Sequence, residues 1–208
     1  GPPRKEKIDP LREQAEAKAE ATHQVEVKVN WNADYFPTPL DTVETMLNEA
    51  APWLGDGKLL LEPSAGDGRI IERALYRWPG VLPYWYEINS TAIEVLRGKG
   101  YGPFQQGNDF LGNAPSPRYD AVVMNPPFSK GKARKHVIHA WEFVKPGGVL
   151  VTVLPGAAQD HNDSFRGWLE DKSIRSIDLG QAFKESGTNI RAHILVMRKD
   201  NYAQGRLL

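Results

Sequence analysis

The chain has 208 residues, long enough to bury a sizeable core and short enough to favour one domain with an appendage. Its 26 basic and 26 acidic side chains balance, so no global electrostatic pull toward nucleic acid exists and any such binding must come from a local patch. The absence of cysteine excludes disulfides, thiolate metal sites and cysteine nucleophiles. No apolar run is long enough to span a bilayer and no signal-peptide pattern opens the chain, which predicts a cytoplasmic protein. Gly1-Pro2 reads as a remnant of tag removal.

In chain order, residues 1–30 form an arm distinct from a domain over 31–208. Asp9-Pro10 supplies an N-cap and first helical position. The Ala/Glu-rich run 11–21 that follows can be helical but has little to bury, which predicts a solvated arm or a partner-dependent helix. Residues 23–30 alternate valine with polar residues, as a half-buried strand does. Beyond Trp31 the pattern predicts a helix over 39–50, a strand at 59–61 and a helix over 70–78. A strand at 82–86 and a helix over 91–97 follow, then a weak strand at 104–106. Further pairs are a strand at 121–124 with a helix over 133–144, and a strand at 149–154 with a helix over 164–170. Strands at 174–179 and 194–197 close the series. This alternation predicts an α/β, Rossmann-like, doubly wound and mostly parallel seven-stranded sheet with helices on both faces. Ligands of such sheets lie beyond the carboxyl ends of the strands, where the motifs fall.

The first strand runs into Glu62-Pro63-Ser64-Ala65-Gly66-Asp67-Gly68. Two glycines spaced one apart serve either a plain strand-to-helix turn or a close backbone approach to a ligand. Ile71 stands where a dinucleotide fingerprint would place its third glycine. Glu87 ends the second strand, where a carboxylate accepts from both hydroxyls of a ribose; a helix-capping glutamate before Asn89-Ser90 fits the same place. Asn108-Asp109-Phe110 offers an acceptor beside an aromatic ring, or else a turn aspartate with a core phenylalanine. Met124 delivers Asn125-Pro126-Pro127-Phe128 at the end of a strand, a plain terminating turn if it stood alone.

In this order and spacing the segments resemble the class I S-adenosylmethionine-dependent methyltransferases, over about residues 35 to 197 and with the tetrapeptide of the N6-adenine DNA type. The resemblance implies S-adenosyl-L-methionine as cofactor. It implies Glu62, Ser64, Ala65, Gly66 and Gly68 as the cofactor loop, Glu87 as the ribose carboxylate with Ile88 beside it, and Asp109 and Phe110 as the adenine-contacting pair. The stretch containing Tyr35, Thr38 and Pro39 is similar to the element that touches the methionine end of that cofactor. Asn125, Pro126, Pro127 and Phe128 take the catalytic role, Asn125 also facing the cofactor.

The chemistry requires such residues. An exocyclic amine on an aromatic ring is a poor nucleophile because its lone pair is delocalised. Acceptors against its two N–H bonds, the Asn125 side-chain carbonyl and the Pro126 backbone carbonyl, favour a tetrahedral nitrogen. Phe128 offers a face for the target ring. In the family, this tetrapeptide serves adenine N6 in DNA and RNA, guanine N2 in ribosomal RNA, and a glutamine amide of release factors. Adenine N6 in DNA is the preferred expectation. The alternatives are RNA adenine N6 or guanine N2, a protein glutamine, and a non-catalytic cofactor-binding partner subunit.

Lys130, Lys132, Arg134 and Lys135 follow the tetrapeptide as a basic loop suited to phosphates flanking an extruded base, and charge runs of this kind are also commonly just solvated. The target-recognition segment of restriction-type methylases is not visible, so base readout is expected from a few loops, a partner subunit or segments outside this chain. The five histidines, His23, His136, His139, His161 and His193, form no ligand constellation, and no metal is expected.

Overall fold

The computed structural model describes residues 29–31, 34–101, 109–129, 131–158 and 162–201. The chain divides at Asn30/Trp31, and every element below belongs to the second part. The expected helix over 11–21, nearly all of the strand at 23–30, the strand at 104–106, and Asn108, Lys130, His23 and His161 lie outside the described residues.

Helix α1 spans Leu40–Ala50 and begins where Pro39 caps it, Val43 N–H donating to the Pro39 carbonyl at 2.9 Å. Val43, Met46, Leu47 and Ala50 recur at helical spacing and are buried, giving a stripe that seats on the sheet. Strand β1 (Leu59–Glu62) leads through a glycine turn into α2 (Arg69–Arg77), and β2 (Leu82–Trp85) leads into α3 (Ser90–Gly98). Asn89 Oδ1 caps α3 by accepting from Ala92 N–H at 3.1 Å. A short 3₁₀ turn, Phe110–Gly112, precedes β3 (Tyr119–Met124), then come α4 (Lys132–Trp141) and β4 (Val144–Pro155). Helix α5 (Asp163–Lys172), β5 (Ser173–Gly180) and β6 (Ala192–Arg198) complete the unit.

Among the described residues the sheet has six strands in the order β2-β1-β3-β4-β6-β5. Pairings β1/β2, β1/β3 and β3/β4 are parallel, whereas β4/β6 and β5/β6 are antiparallel. The expected mostly parallel sheet is therefore found with an antiparallel edge. Successive residues alternate between faces. Leu60 and Val123 join the core beneath α1 and α2, while Leu61 and Val122 join the core that includes Val137 of α4 and Phe165 of α5. Both faces are covered, as the Rossmann-like reading requires.

Several boundaries differ from expectation, and two of the differences bear on the site and the sheet. β2 stops at Trp85, so Glu87 stands just past the strand end rather than on it. Helix α4 stops at Trp141 instead of 144, because Val144 pairs with Tyr119 and starts β4. The register then shifts, and buried Asp120 opposite the shift accepts from Leu59 N–H at 2.8 Å and pairs with Lys145. Among the described residues no helix is long and apolar enough to cross a membrane.

β1 has β2 on one side and β3 on the other, so the chain reverses its direction of strand addition between them. The carboxyl ends of β1, β2 and β3 part there and leave a crevice. Gly68, the left-handed N-cap of α2 (φ +83°), anchors one wall: a Cβ there would come within 2.6 Å of Leu96 Cδ2 and 2.9 Å of Tyr101 Cε2. The Tyr101 side chain is buried in a cluster with Trp85, Ile93 and Leu96, and its backbone carbonyl accepts from Trp85 Nε1 at 2.6 Å. Replacing Gly68 with Ala is expected to destabilise the fold by about 2–4 kcal/mol, from left-handed strain plus overpacking. Urea denaturation measures it, and an unchanged midpoint would contradict the packing described.

Candidate active site

The crevice is a cavity of about 410 Å³ whose wall includes Glu62, Gly66, Glu87, Asp109, Asn125 and Phe128. It thus unites the ends of three strands with Trp31 and the segment 34–38 that precedes α1.

On the side of β1 and β2 the wall is acidic. Glu62 is 1% exposed, and its Oε1 accepts from Ser64 N–H at 3.1 Å. Burial raises its pKa well above the ordinary carboxylate value; the Ser64 N–H opposes this, and the nearby Glu87 and Asp67 add to it. Glu87 divides its oxygens, Oε2 accepting from Gly66 N–H at 2.7 Å and Oε1 from Asn89 N–H at 3.0 Å. Each oxygen keeps a second lone pair for a ligand hydroxyl. Gly66 (φ +57°) is required for a second reason, since a Cβ there would meet Tyr35 Cε2 at 2.7 Å. The Tyr35 ring lies over the glycine and stacks on Trp31, with centroids 3.9 Å apart.

Asp109 takes the turn role that its sequence context offers. Its Oδ1 accepts from Leu111 N–H at 3.1 Å, capping the 3₁₀ turn, and it also lines the cavity. Phe110 is a core residue packed against Tyr86 and Phe143, with part of its surface on the cavity. Ile88 is 65% exposed on the rim, an aliphatic surface open to a flat ligand. Ser64 and Ala65 line the cavity, whereas Pro39 and Gly68 serve as helix caps off its wall.

The target side centres on Asn125. Its Nδ2 donates to the Phe36 carbonyl at 2.9 Å and to Thr38 Oγ1 at 3.0 Å. A backbone carbonyl can only accept, so the amide nitrogen has to face Phe36 and the oxygen has to face away. That oxygen, Asn125 Oδ1, is buried and has no partner among the described residues. A local Asx turn would satisfy it with the N–H of residue 127, but Pro127 has none. Phe128 packs edge-on against Phe183 at 5.4 Å and tilted against Phe36 at 5.7 Å, leaving a partly exposed ring on the cavity.

Of the basic cluster, Lys132 and Lys135 reach the cavity wall and Arg134 does not. Lys132 is already engaged: its Nζ and Ser129 Oγ both donate to Asp34 Oδ2 at 2.9 Å. Burial works to raise the Asp34 pKa, yet the bonds from Lys132 and Ser129 outweigh it and leave it below the usual value. Sequence reasoning did not find Asp34, Arg69, His136 or Ser186. Arg69 grips Asp67 and donates from NH1 to the Thr38 carbonyl at 2.7 Å; Ser186 Oγ donates to the Pro37 carbonyl at 2.7 Å. Neither contact has a local signature, since the partners are distant in the chain. His136 lines the cavity with a pKa lowered chiefly by burial. His139 bonds the carbonyls of Phe110 and Asn113, a structural role, and among the described residues no group of side chains could hold a metal.

Glu62 yields a test. Its folded-state pKa lies above the unfolded one, so its contribution to stability is complete at pH below the unfolded pKa and is lost as pH rises through the folded one. Glu62→Gln is therefore expected to melt higher than the wild type by a margin that grows as pH is raised across the range above the ordinary glutamate pKa. A margin constant across that range would contradict a buried carboxyl lacking a cation.

No protein-family model and no curated protein matches the sequence. Solved structures do. A type I restriction-modification methyltransferase subunit from Streptococcus thermophilus matches with a TM-score of 0.67 and 20% identity, over 80% of this chain and 45% of that one. This chain thus spans less than half of that subunit. A protein from Pyrococcus horikoshii described as an RNA methyltransferase matches with a TM-score of 0.64 and 18% identity, over 90% and 99% of the two chains. A protein from Listeria monocytogenes described as a class I S-adenosylmethionine-dependent methyltransferase matches with a TM-score of 0.63 and 15% identity, over 92% and 68%. The six-stranded sheet and its switch-point crevice thus have the fold of class I S-adenosylmethionine-dependent methyltransferases.

Proposed function

We propose that this chain is an S-adenosylmethionine-dependent methyltransferase that methylates the N6 amine of adenine in nucleic acid, DNA before RNA. One observation carries the reading: a buried amide oxygen, Asn125 Oδ1, with no partner among the described residues, on a side chain whose nitrogen is fully engaged. An unsatisfied buried acceptor costs about 1–3 kcal/mol, so its retention calls for a donor brought by a ligand. An exocyclic amine is such a donor.

The cavity also fits the cofactor. A sulfonium methyl, when bound, supplies an already activated electrophile. On this chain's side, Glu62 and Glu87 present carboxylates to a cationic and hydroxylated ligand, and Ile88 and Phe110 offer apolar surface to its base. Asn125 Oδ1 takes one N–H of the target amine, and the Pro126 carbonyl is placed next in sequence to take the other. Together they draw the nitrogen lone pair out of the ring and aim it. Phe128 holds the ring flat.

The restriction-modification likeness favours DNA, and the length of that subunit beyond this chain supports target recognition by a partner subunit or by further segments. Lys135 and Lys132 would contact phosphates, with Asp34 moderating Lys132.

The deciding experiment incubates the protein with methyl-labelled S-adenosylmethionine and, separately, DNA, RNA and a protein extract, then identifies the labelled nucleoside or residue. N6-methyladenine in DNA is expected; label confined to RNA would replace the polymer, and label on glutamine would replace the substrate class. Asn125→Ala is expected to lower kcat at least about 10²–10³-fold with cofactor affinity little changed. Asp109→Ala should weaken cofactor binding instead. If phosphate contacts dominate, Lys135→Gln reduces the slope of log affinity against log salt by about 1, whatever the DNA sequence.

A further inference from the structure

Three successive carbonyls of the segment before α1 each accept a side-chain donor from a different part of the fold. Phe36 takes Asn125 Nδ2 at 2.9 Å, Pro37 takes Ser186 Oγ at 2.7 Å, and Thr38 takes Arg69 NH1 at 2.7 Å. The donors come from the end of β3, the β5–β6 connection and the start of α2. Arg69 is held by Asp67 through Nε at 3.0 Å and NH2 at 2.7 Å, so its reach to Thr38 is set from the glycine turn. Thr38 is 5% exposed, and its hydroxyl oxygen faces the catalytic amide.

We propose that Thr38 is a positioning residue that fixes the side-chain amide of Asn125 with its oxygen toward the cavity, and that Arg69 and Ser186 hold Thr38 in register to do so. This role is additional to the expected one as a cofactor contact, since Thr38 also lines the cavity. The physics is directional. A primary amide turned through half a rotation presents two donors where one acceptor stood, and such a surface repels the N–H bonds of an amine. One bond to Phe36 constrains Nδ2 but leaves its second hydrogen free to draw the amide away. The Thr38 hydroxyl occupies that second hydrogen, so both donors of Asn125 are used and only its oxygen is left to face the cavity. The strap thereby links the glycine turn to the amine clamp: a shift of Arg69 moves Thr38, and Thr38 reorients Asn125.

The catalytic part of this inference rests on the methyltransferase reading, while the orientation of Asn125 does not, and the test separates them. In ¹⁵N-labelled protein the Asn125 side-chain NH₂ signals, assigned by their loss in Asn125→Ala, report the two bonds directly. Thr38→Val keeps shape and removes the acceptor; Thr38→Ser keeps the acceptor. Thr38→Val is expected to speed exchange of the Asn125 NH₂ protons about tenfold and to lower kcat about tenfold, leaving the affinity for S-adenosylmethionine within about twofold. Thr38→Ser should restore both. Ser186→Ala, away from the cavity wall, should move the same signals less in the same direction, and it serves if Thr38→Val does not fold. Unchanged Asn125 signals in Thr38→Val and Ser186→Ala overturn the proposal. So does a loss of cofactor affinity with kcat preserved, or a failure of Thr38→Ser to rescue. A wild-type protein that methylates none of the three polymers overturns the proposed function, and the NH₂ signals then still decide the role of Thr38.

Discussion

A buried primary amide has two ends with opposite needs. Among the described residues, the nitrogen end of Asn125 is bonded twice and the oxygen end not at all. That asymmetry is costly, since an unmade buried bond forfeits solvation without replacement, and much of the surrounding structure serves to maintain it. Met124 brings the residue out of a fully buried central strand, so its backbone has little freedom. Pro126 and Pro127 remove the two backbone N–H groups that follow, the nearest local donors to the oxygen. The strap over residues 34–38 supplies acceptors for the nitrogen, and the strap is itself tied to three separate parts of the fold.

The cavity extends this polarity. The lining carries Glu62, Glu87 and Asp67 from the turns after β1 and β2, and Lys132, Lys135 and His136 from the start of α4. Glu62 is held in low dielectric with a single backbone donor, so its ionisation waits for a positive neighbour. Glu87 differs in that two backbone N–H groups already orient it. The first carboxyl is a poised charge and the second a fixed bracket. At the start of α4 the Asp34–Lys132 pair shows that a run of lysines is not a uniform basic surface, because one member has its charge matched by an aspartate nearly a hundred positions earlier.

Both glycines of the turn are explained by neighbours rather than by the turn alone. Gly66 makes room for the Tyr35 ring, and Gly68 makes room for Leu96 and Tyr101. The spacing that reads as a nucleotide-binding signature is thus also a packing requirement. This is why a GxG pattern is weak evidence taken singly: sterics and ligand approach demand the same residue.

What the amino-acid order determined by itself was periodic or local. Alternating strands and helices follow from hydrophobic spacing, which is why the parallel sheet with both faces covered was legible, as was the strand-end placement of Glu62 and Asn125, whereas the caps at Pro39 and Asn89 were seen only in the structure. The seventh expected strand, at 104–106, lies outside the described residues. Boundaries were less legible, since the end of α4 depends on Val144 pairing with Tyr119, a contact across the sheet. Only the tertiary structure decided which way the Asn125 amide points, that Lys132 is paired, and that Arg69 and Ser186 converge on one short strap. The reason is the same in each case. A hydrogen bond between positions 87, 98 or 149 residues apart leaves no trace in local spacing, and it exists only once the sheet has brought its strand ends together.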